Sequence, residues 1–245
     1  MNTDNICGAN AVAALFAKRP DDVQRLFYTA EMKPVAGPYC AVLATQRKPY
    51  RMVDGETLEK IAATGHHGGI VAVARPRAIP IFDRDNPPRL TFLLVLDGIG
   101  NPHNLGAIAR SAAFFGVPGM LIGEAPGNAM PSDAAYRTAE GGLEQLLLFK
   151  TRDLPAALGA MQPFYRTVAA ALTPDGAPLS ALPRDRAVAL VLGNEERGIS
   201  PDVLAACRRH IRIEGSGRVQ SLNVAQAAAV LLHALTGLAR QSIAV

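Results

Sequence analysis

A chain of 245 residues, 49% hydrophobic and 19% charged, has the composition of a globular protein with room for one large domain or a small one and a larger one. Its formal charge of +4 permits a polyanionic partner without demanding one, and the lack of tryptophan argues against single-strand binding by an array of stacked rings. Cys7, Cys40 and Cys207 are scattered, with no C-x-x-C pair, so neither a disulfide framework nor a zinc site is expected, and free thiols fit the reducing cytoplasm. No basic segment followed by an apolar run opens the sequence. The longest apolar stretches, such as 225–235 with Gln226 and His233 inside it, are too short for a bilayer. A cytoplasmic protein with no membrane segment and no metal is therefore expected.

In chain order, 10–17 has helical spacing through Ala11, Val12, Leu15 and Phe16, and 26–28 is a short strand candidate. Residues 58–63 read as helix, and the β-branched run 70–74 as a strand that closes a mixed α and β first part. Four prolines and alternating charges between Arg75 and Pro88 cannot continue a helix or a central strand, so 77–89 reads as a linker between a domain at 1–76 and another at 90–245. The second part alternates. Strands are expected at 93–96, 120–122, 146–149, 167–172, 188–192 and 211–213, with helices at 105–115, 134–140, 154–161, 200–207 and 223–240. Apolar strands alternating with helices predict a parallel sheet covered on both faces, with ligands at the carboxyl ends of its strands.

Three motifs lie just after strands. In 97–110, Gly98 and Gly100 allow a tight turn, Asn101-Pro102 signals a turn, and Asn104 is an N-cap candidate for a helix with the stripe Leu105, Ile108, Ala109, Ala112 and Phe115. Arg110 lies about 140° from Leu105 and points away from the core, which a solvated arginine would also do. The segment lacks the third glycine of a dinucleotide fingerprint, which disfavours an oxidoreductase. In 192–198, glycines bracket a polar loop where Glu195 is either a ligand-binding carboxylate or a partner of Arg197. In 215–225 a Gly-rich loop leads to an alanine-rich helix with Ser221 as its N-cap candidate, and Asn223 is an amide in want of a partner. No Ser-His-Asp order, His cluster or matched carboxylate pair occurs, so a group transfer in which the protein positions a reactive cofactor fits better than hydrolysis or metal chemistry.

At these residues the sequence resembles the SpoU/TrmH group of the SPOUT superfamily, RNA ribose 2'-O-methyltransferases. The resemblance runs through N-P-x-N-x-G-x-I-x-R at 101–110, Arg137-Thr138-Ala139-Glu140-Gly141-Gly142, L-G-N-E at 192–195 and S-L-N-V at 221–224. The first part is similar to the family's L30e-like substrate-binding domain, through 8–12 and through 67–72, where Gly68 replaces the family's glutamine. The resemblance implies an α/β catalytic domain with a C-terminal trefoil knot, S-adenosyl-L-methionine as cofactor, tRNA or rRNA as substrate, and a homodimer. It implies active-site roles for Asn104, Arg110, Glu195, Ser221 and Asn223. Cofactor contacts would come from the backbones near Leu172, Leu192, Gly193, Ile213 and Leu222. Glu196 stands where many relatives have glycine, and Glu214-Gly215 where they often have Pro-Met. In this reading Arg110 serves as an electrostatic anchor on ribose or phosphate, held with Glu195, Ser221 and Asn223. The rival within the same resemblance is a non-catalytic RNA-binding or assembly factor.

Overall fold

The computed structural model describes residues 3–173, 176–179 and 186–236. The first part is built on a mixed four-stranded sheet in the order β1 (Asp4–Cys7), β4 (Ile70–Ala74), β2 (Val23–Tyr28), β3 (Tyr50–Met52). Strand β4 pairs antiparallel with β1 and β2, and β2 pairs parallel with β3. Helices α1 (Ala9–Lys18), α2 (Lys33–Thr45) and α3 (Gly55–Ala62) connect them. All of β4 is buried, which is why its apolar run is readable in the sequence. Two strands and one helix here carry no such signal. Strand β1 is polar at its start and β3 is exposed throughout. Helix α2 contains Pro38, which removes one helical hydrogen bond, and is held instead by burial of Ala36 and Leu43 and by stacking of Tyr39 on Phe16 at 4.5 Å.

The second part is a seven-stranded, all-parallel sheet in the order β7 (Leu147–Thr151), β6 (Gly119–Gly123), β5 (Phe92–Leu96), β10 (Ala187–Leu192), β8 (Tyr165–Ala170), β11 (Arg209–Arg212), β9 (Ala177–Pro178). The strands β6, β5 and β10 at its centre are apolar on both faces because both are covered. Phe92, Leu94 and Leu96 of β5 face a core with α4 (Pro102–Phe114), α5 (Asp133–Ala139), α6 (Gly142–Gln145) and α9 (Val224–Leu235). Leu93 and Val95 face the opposite core, with α7 (Leu154–Met161) and α8 (Pro201–Ala206). The end of the helix expected at 223–240 lies partly outside the described residues.

The expected linker is not a free tether. Phe82 is buried, its N–H donates to the Lys150 carbonyl at 2.8 Å, and Arg77 donates to the carbonyls of Leu143 and Leu146. The first core is continuous from Ile6, Val12 and Leu15 of the small domain to Tyr136, Ala139 and Leu143 of the large one. At this junction Arg19 donates to both carboxylate oxygens of Glu144, a side chain only 1% exposed. Helix α6 is thereby fixed against the small domain, and α4, which carries the residues that follow, packs on α6.

Candidate active site

Strand β5 ends beneath a loop in which Asp97 accepts a bond from the Ser200 N–H at 2.7 Å. The helix that follows is capped by Asn101, whose side chain accepts from the His103 N–H at 2.8 Å, with Pro102 at the first helical position. This corrects the expectation that Asn104 is the cap. Pro102 already suits the first helical position, where no N–H partner exists, so the cap falls one residue before it. Asn104 is left with its amide free of backbone duty.

The loop after β10 is folded back on itself by paired bonds between Asn194 and Gly198, at 2.9 and 3.0 Å. A Cβ at Gly193 would sit 2.4 Å from the Gly198 carbonyl carbon, so only glycine permits the return. Asn194 organises the tip: its Nδ2 donates to the Gly98 carbonyl at 2.7 Å, and its Oδ1 accepts from the N–H groups of Glu196 and Arg197. Sequence reasoning passed over Asn194, although an asparagine beside a glycine in a post-strand loop is a known turn former. Glu195 is presented outward and turns to Asn104 rather than to Arg197.

The last loop ends at Asn223. Its Oδ1 accepts from the Ala225 N–H at 2.9 Å, which makes Asn223, and not Ser221, the N-cap of α9. Ser221 lies exposed in the loop two residues earlier, too far from the first helical turn to cap it. Helix α9 packs along α4, and the Asn223 Nδ2 donates to the Asn104 Oδ1 at 3.2 Å. The Asn104 Nδ2 in turn donates to Glu195 Oε1 in a short contact. One amide and carboxylate chain thus joins all three loops at the carboxyl edge of the sheet.

Arg110 is not part of it. Six residues beyond Asn104 on α4, it is about 9 Å further along the axis and about 120° round. Its Nη1 pairs with Glu140 Oε1 at 3.0 Å. Within this chain the hydrogen-bonded run therefore leaves Arg110 out, because the helix aims the two side chains to different sides.

The residues assigned to a cofactor lie on segments leaving neighbouring strands: Leu172 beyond β8, Leu192 and Gly193 at the end of β10, and Ile213 beyond β11. Leu192 is buried, whereas Leu172 is 68% and Leu222 is 45% exposed. The buried Thr173 hydroxyl, beside Leu172, has no hydrogen-bond partner among the described residues. An exposed leucine next to an unsatisfied hydroxyl suits a ligand with an apolar ring system and polar edges. Among the described residues no three His, Cys, Asp or Glu side chains gather to hold a metal, and no helix is long and apolar enough to cross a membrane.

The chain belongs to the SpoU rRNA methylase family, whose pattern it matches over residues 91–233. Residues 5–80 match a second family, described as RNA 2'-O ribose methyltransferase substrate binding. Among its relatives is YfiF of Escherichia coli O157:H7, described as an uncharacterized tRNA/rRNA methyltransferase, 31% identical over 93% of this chain. This chain spans 66% of that relative's length, just under two thirds. The 23S rRNA (guanosine-2'-O-)-methyltransferase RlmB of Acinetobacter baylyi is 29% identical, with 91% of this chain and 88% of that one covered. A TrmH-family structure from Porphyromonas gingivalis covers 95% of this chain and 89% of its own, at 26% identity and a TM-score of 0.73. The fold is also shared with an rRNA methyltransferase from Sinorhizobium meliloti, at 20% identity and a TM-score of 0.79, with 95% and 86% of the two chains covered.

Proposed function

We propose that this chain methylates a ribose 2'-hydroxyl of a tRNA or rRNA, with S-adenosylmethionine as methyl donor. The observation that carries the reading is the hydrogen-bonded run Asn223, Asn104, Glu195, which takes one side chain from each of the three family motifs.

S-adenosylmethionine supplies an electrophilic methyl carbon on a sulfonium. The residues of the chain supply position. Fixing two reactants in line is worth roughly 7–11 kcal/mol of the barrier, and neutral amides can do this without titrating. Asn104 and Asn223 are tied to the carboxyl edge by their own bonds, so a ribose that meets them meets groups already oriented. The carboxylate of Glu195 accepts from Asn104 and fixes which way that amide faces. The backbones at Leu192, Gly193 and Ile213, with Leu172, Thr173 and Leu222, are the groups that would hold the donor. Ser221, exposed on the same loop, is positioned to meet the substrate. Arg110 binds a phosphate or the ribose. It acts through the charge of its guanidinium, and the hydroxyl proton leaves to solvent.

The reading includes a homodimer. Phe114 on α4 and Val230 on α9 are exposed apolar side chains, at 58% and 42%. Arg110 faces away from its own chain's amides, so a second copy packed on α4 would bring an arginine to them. The reading also includes the trefoil knot, supported by the return of the chain after β11, which carries Asn223 back across the sheet to α4. The small mixed-sheet domain is assigned to RNA contact and the setting to the cytoplasm.

The test incubates the purified protein with methyl-labelled cofactor and total RNA from cells lacking the gene, followed by nucleoside mass spectrometry. A single 2'-O-methylated nucleoside is expected, and only base-methylated products would sink the assignment. Arg110→Ala should lower turnover at least tenfold. Turnover within a factor of two would remove Arg110 from the site.

A further inference from the structure

We propose that Glu140 is a positioning residue for Arg110 and ties it to the substrate domain. The inference rests on the role given to Arg110 above. Both Glu140 carboxylate oxygens are used, one toward each domain. Oε1 accepts from Arg110 Nη1 at 3.0 Å, and Oε2 accepts from Asn10 Nδ2 of α1 at 2.9 Å. The three side chains line a groove of about 530 Å³ between α1 and α4, together with Ala13, Phe114 and Gln145.

Two further observations show that the contact is not there for stability. The Arg110 and Glu140 side chains are 59% and 43% exposed, and ion pairs so placed contribute little to folding. Glu140 also closes α5 with φ 44 and ψ 47, in the left-handed region that disfavours a side chain with a Cβ. A strained backbone carrying an exposed carboxylate fits a contact whose use is orientation. Among the described residues only Nη1 of Arg110 is committed. The Nε and Nη2 edge remains open, and that edge can bind two oxygens of one phosphate. Glu140 therefore presents that edge of the guanidinium to an RNA phosphate, and Asn10 fixes Glu140 against the domain that holds the RNA.

Glu140→Asn separates positioning from folding, since asparagine tolerates the left-handed backbone but is one methylene too short to reach Arg110. With total RNA from gene-deleted cells as substrate, we expect a ten- to hundredfold fall in kcat. Cofactor affinity and melting temperature should be unchanged, Glu140→Gln should recover part of the loss, and Asn10→Ala should give a smaller fall. Arg110→Ala combined with Glu140→Asn should be no worse than Arg110→Ala alone. Independently of turnover, the Arg110 Nε–H signal in ¹⁵N NMR should be ordered in the parent and mobile in Glu140→Asn. Unchanged kcat and an unchanged Arg110 signal in Glu140→Asn would overturn the inference, as would additive losses in the double variant. If Arg110→Ala itself is fully active, the reading of Arg110 fails; if only Glu140→Asn is, the positioning role alone fails.

Discussion

The Asn223 amide donates to the Asn104 side-chain oxygen at 3.2 Å, joining residues 119 apart in the sequence. The Asn223 side-chain oxygen caps α9, so one side chain both starts a helix and reaches the candidate site. These two duties can be separated.

Asn223→Ser keeps a capping oxygen, because serine and asparagine cap about equally well. It loses the donor to Asn104. We expect an unchanged melting temperature and at least a tenfold loss of methyl transfer. Asn223→Ala should lose activity and in addition about 1 kcal/mol of stability. Full turnover by Asn223→Ser would show that the amide is not used.

Arg19 and Glu144 are 11% and 1% exposed, and removing one partner of so buried a pair costs about 3–5 kcal/mol. Arg77 Nη1, 3.8 Å from Glu144, offsets part of that. Arg19→Met is expected at the lower end of the range in urea unfolding. A loss under about 1 kcal/mol would mean that Arg77 suffices to neutralise Glu144.

Burial, and then the nearby charge of Asp133, hold the Asp4 carboxyl above its ordinary pKa; Arg19 opposes the shift and Glu144 adds to it. A folded pKa above the unfolded one, about 3.9, means that the folded state holds the proton more tightly. The stability this contributes is complete below the unfolded pKa and is lost as the pH rises through the folded one. Asp4→Asn should therefore gain stability relative to the parent as the pH rises across that window. Parallel melting curves from pH 3 to pH 7 would contradict it.

A Cβ at Gly106 would lie 2.5 Å from the Ala135 carbonyl oxygen, where α4 and α5 touch, whereas one at Gly159 in α7 meets nothing within 4 Å. Gly106→Ala should destabilise by about 1–3 kcal/mol and disturb Asn104 two residues away. Gly159→Ala should stabilise by up to about 1 kcal/mol through helix propensity. Equal effects at the two sites would refute the close approach of α4 and α5.

Much of the larger domain is legible along the chain. Strands β5 and β10 are continuous apolar runs because two cores cover them, and alternate residues such as Leu94 and Val95 divide between those cores. The small domain is less legible. Helix α2 carries Pro38 and β1 begins with Asp4 and Asn5, so local propensity opposes or ignores elements that packing enforces. In the site, the choice of Asn101 over Asn104 as cap turned on Pro102, and a single reassignment freed the amide that links three loops.

By itself the sequence determined the alternation of strand and helix, the carboxyl-edge placement of three polar loops, and the residues on them that resemble one family. These are local properties, set by periodicity and turn chemistry within a few residues. Only the tertiary structure decided which polar groups meet. That Asn223 reaches Asn104 and through it Glu195, while Arg110 turns to Glu140 and through it Asn10, depends on how α4 is rotated and on what packs against each of its sides. No spacing along the chain encodes that rotation, because it is set by the packing of α5, α6 and the sequence-distant α9 against α4 in one core.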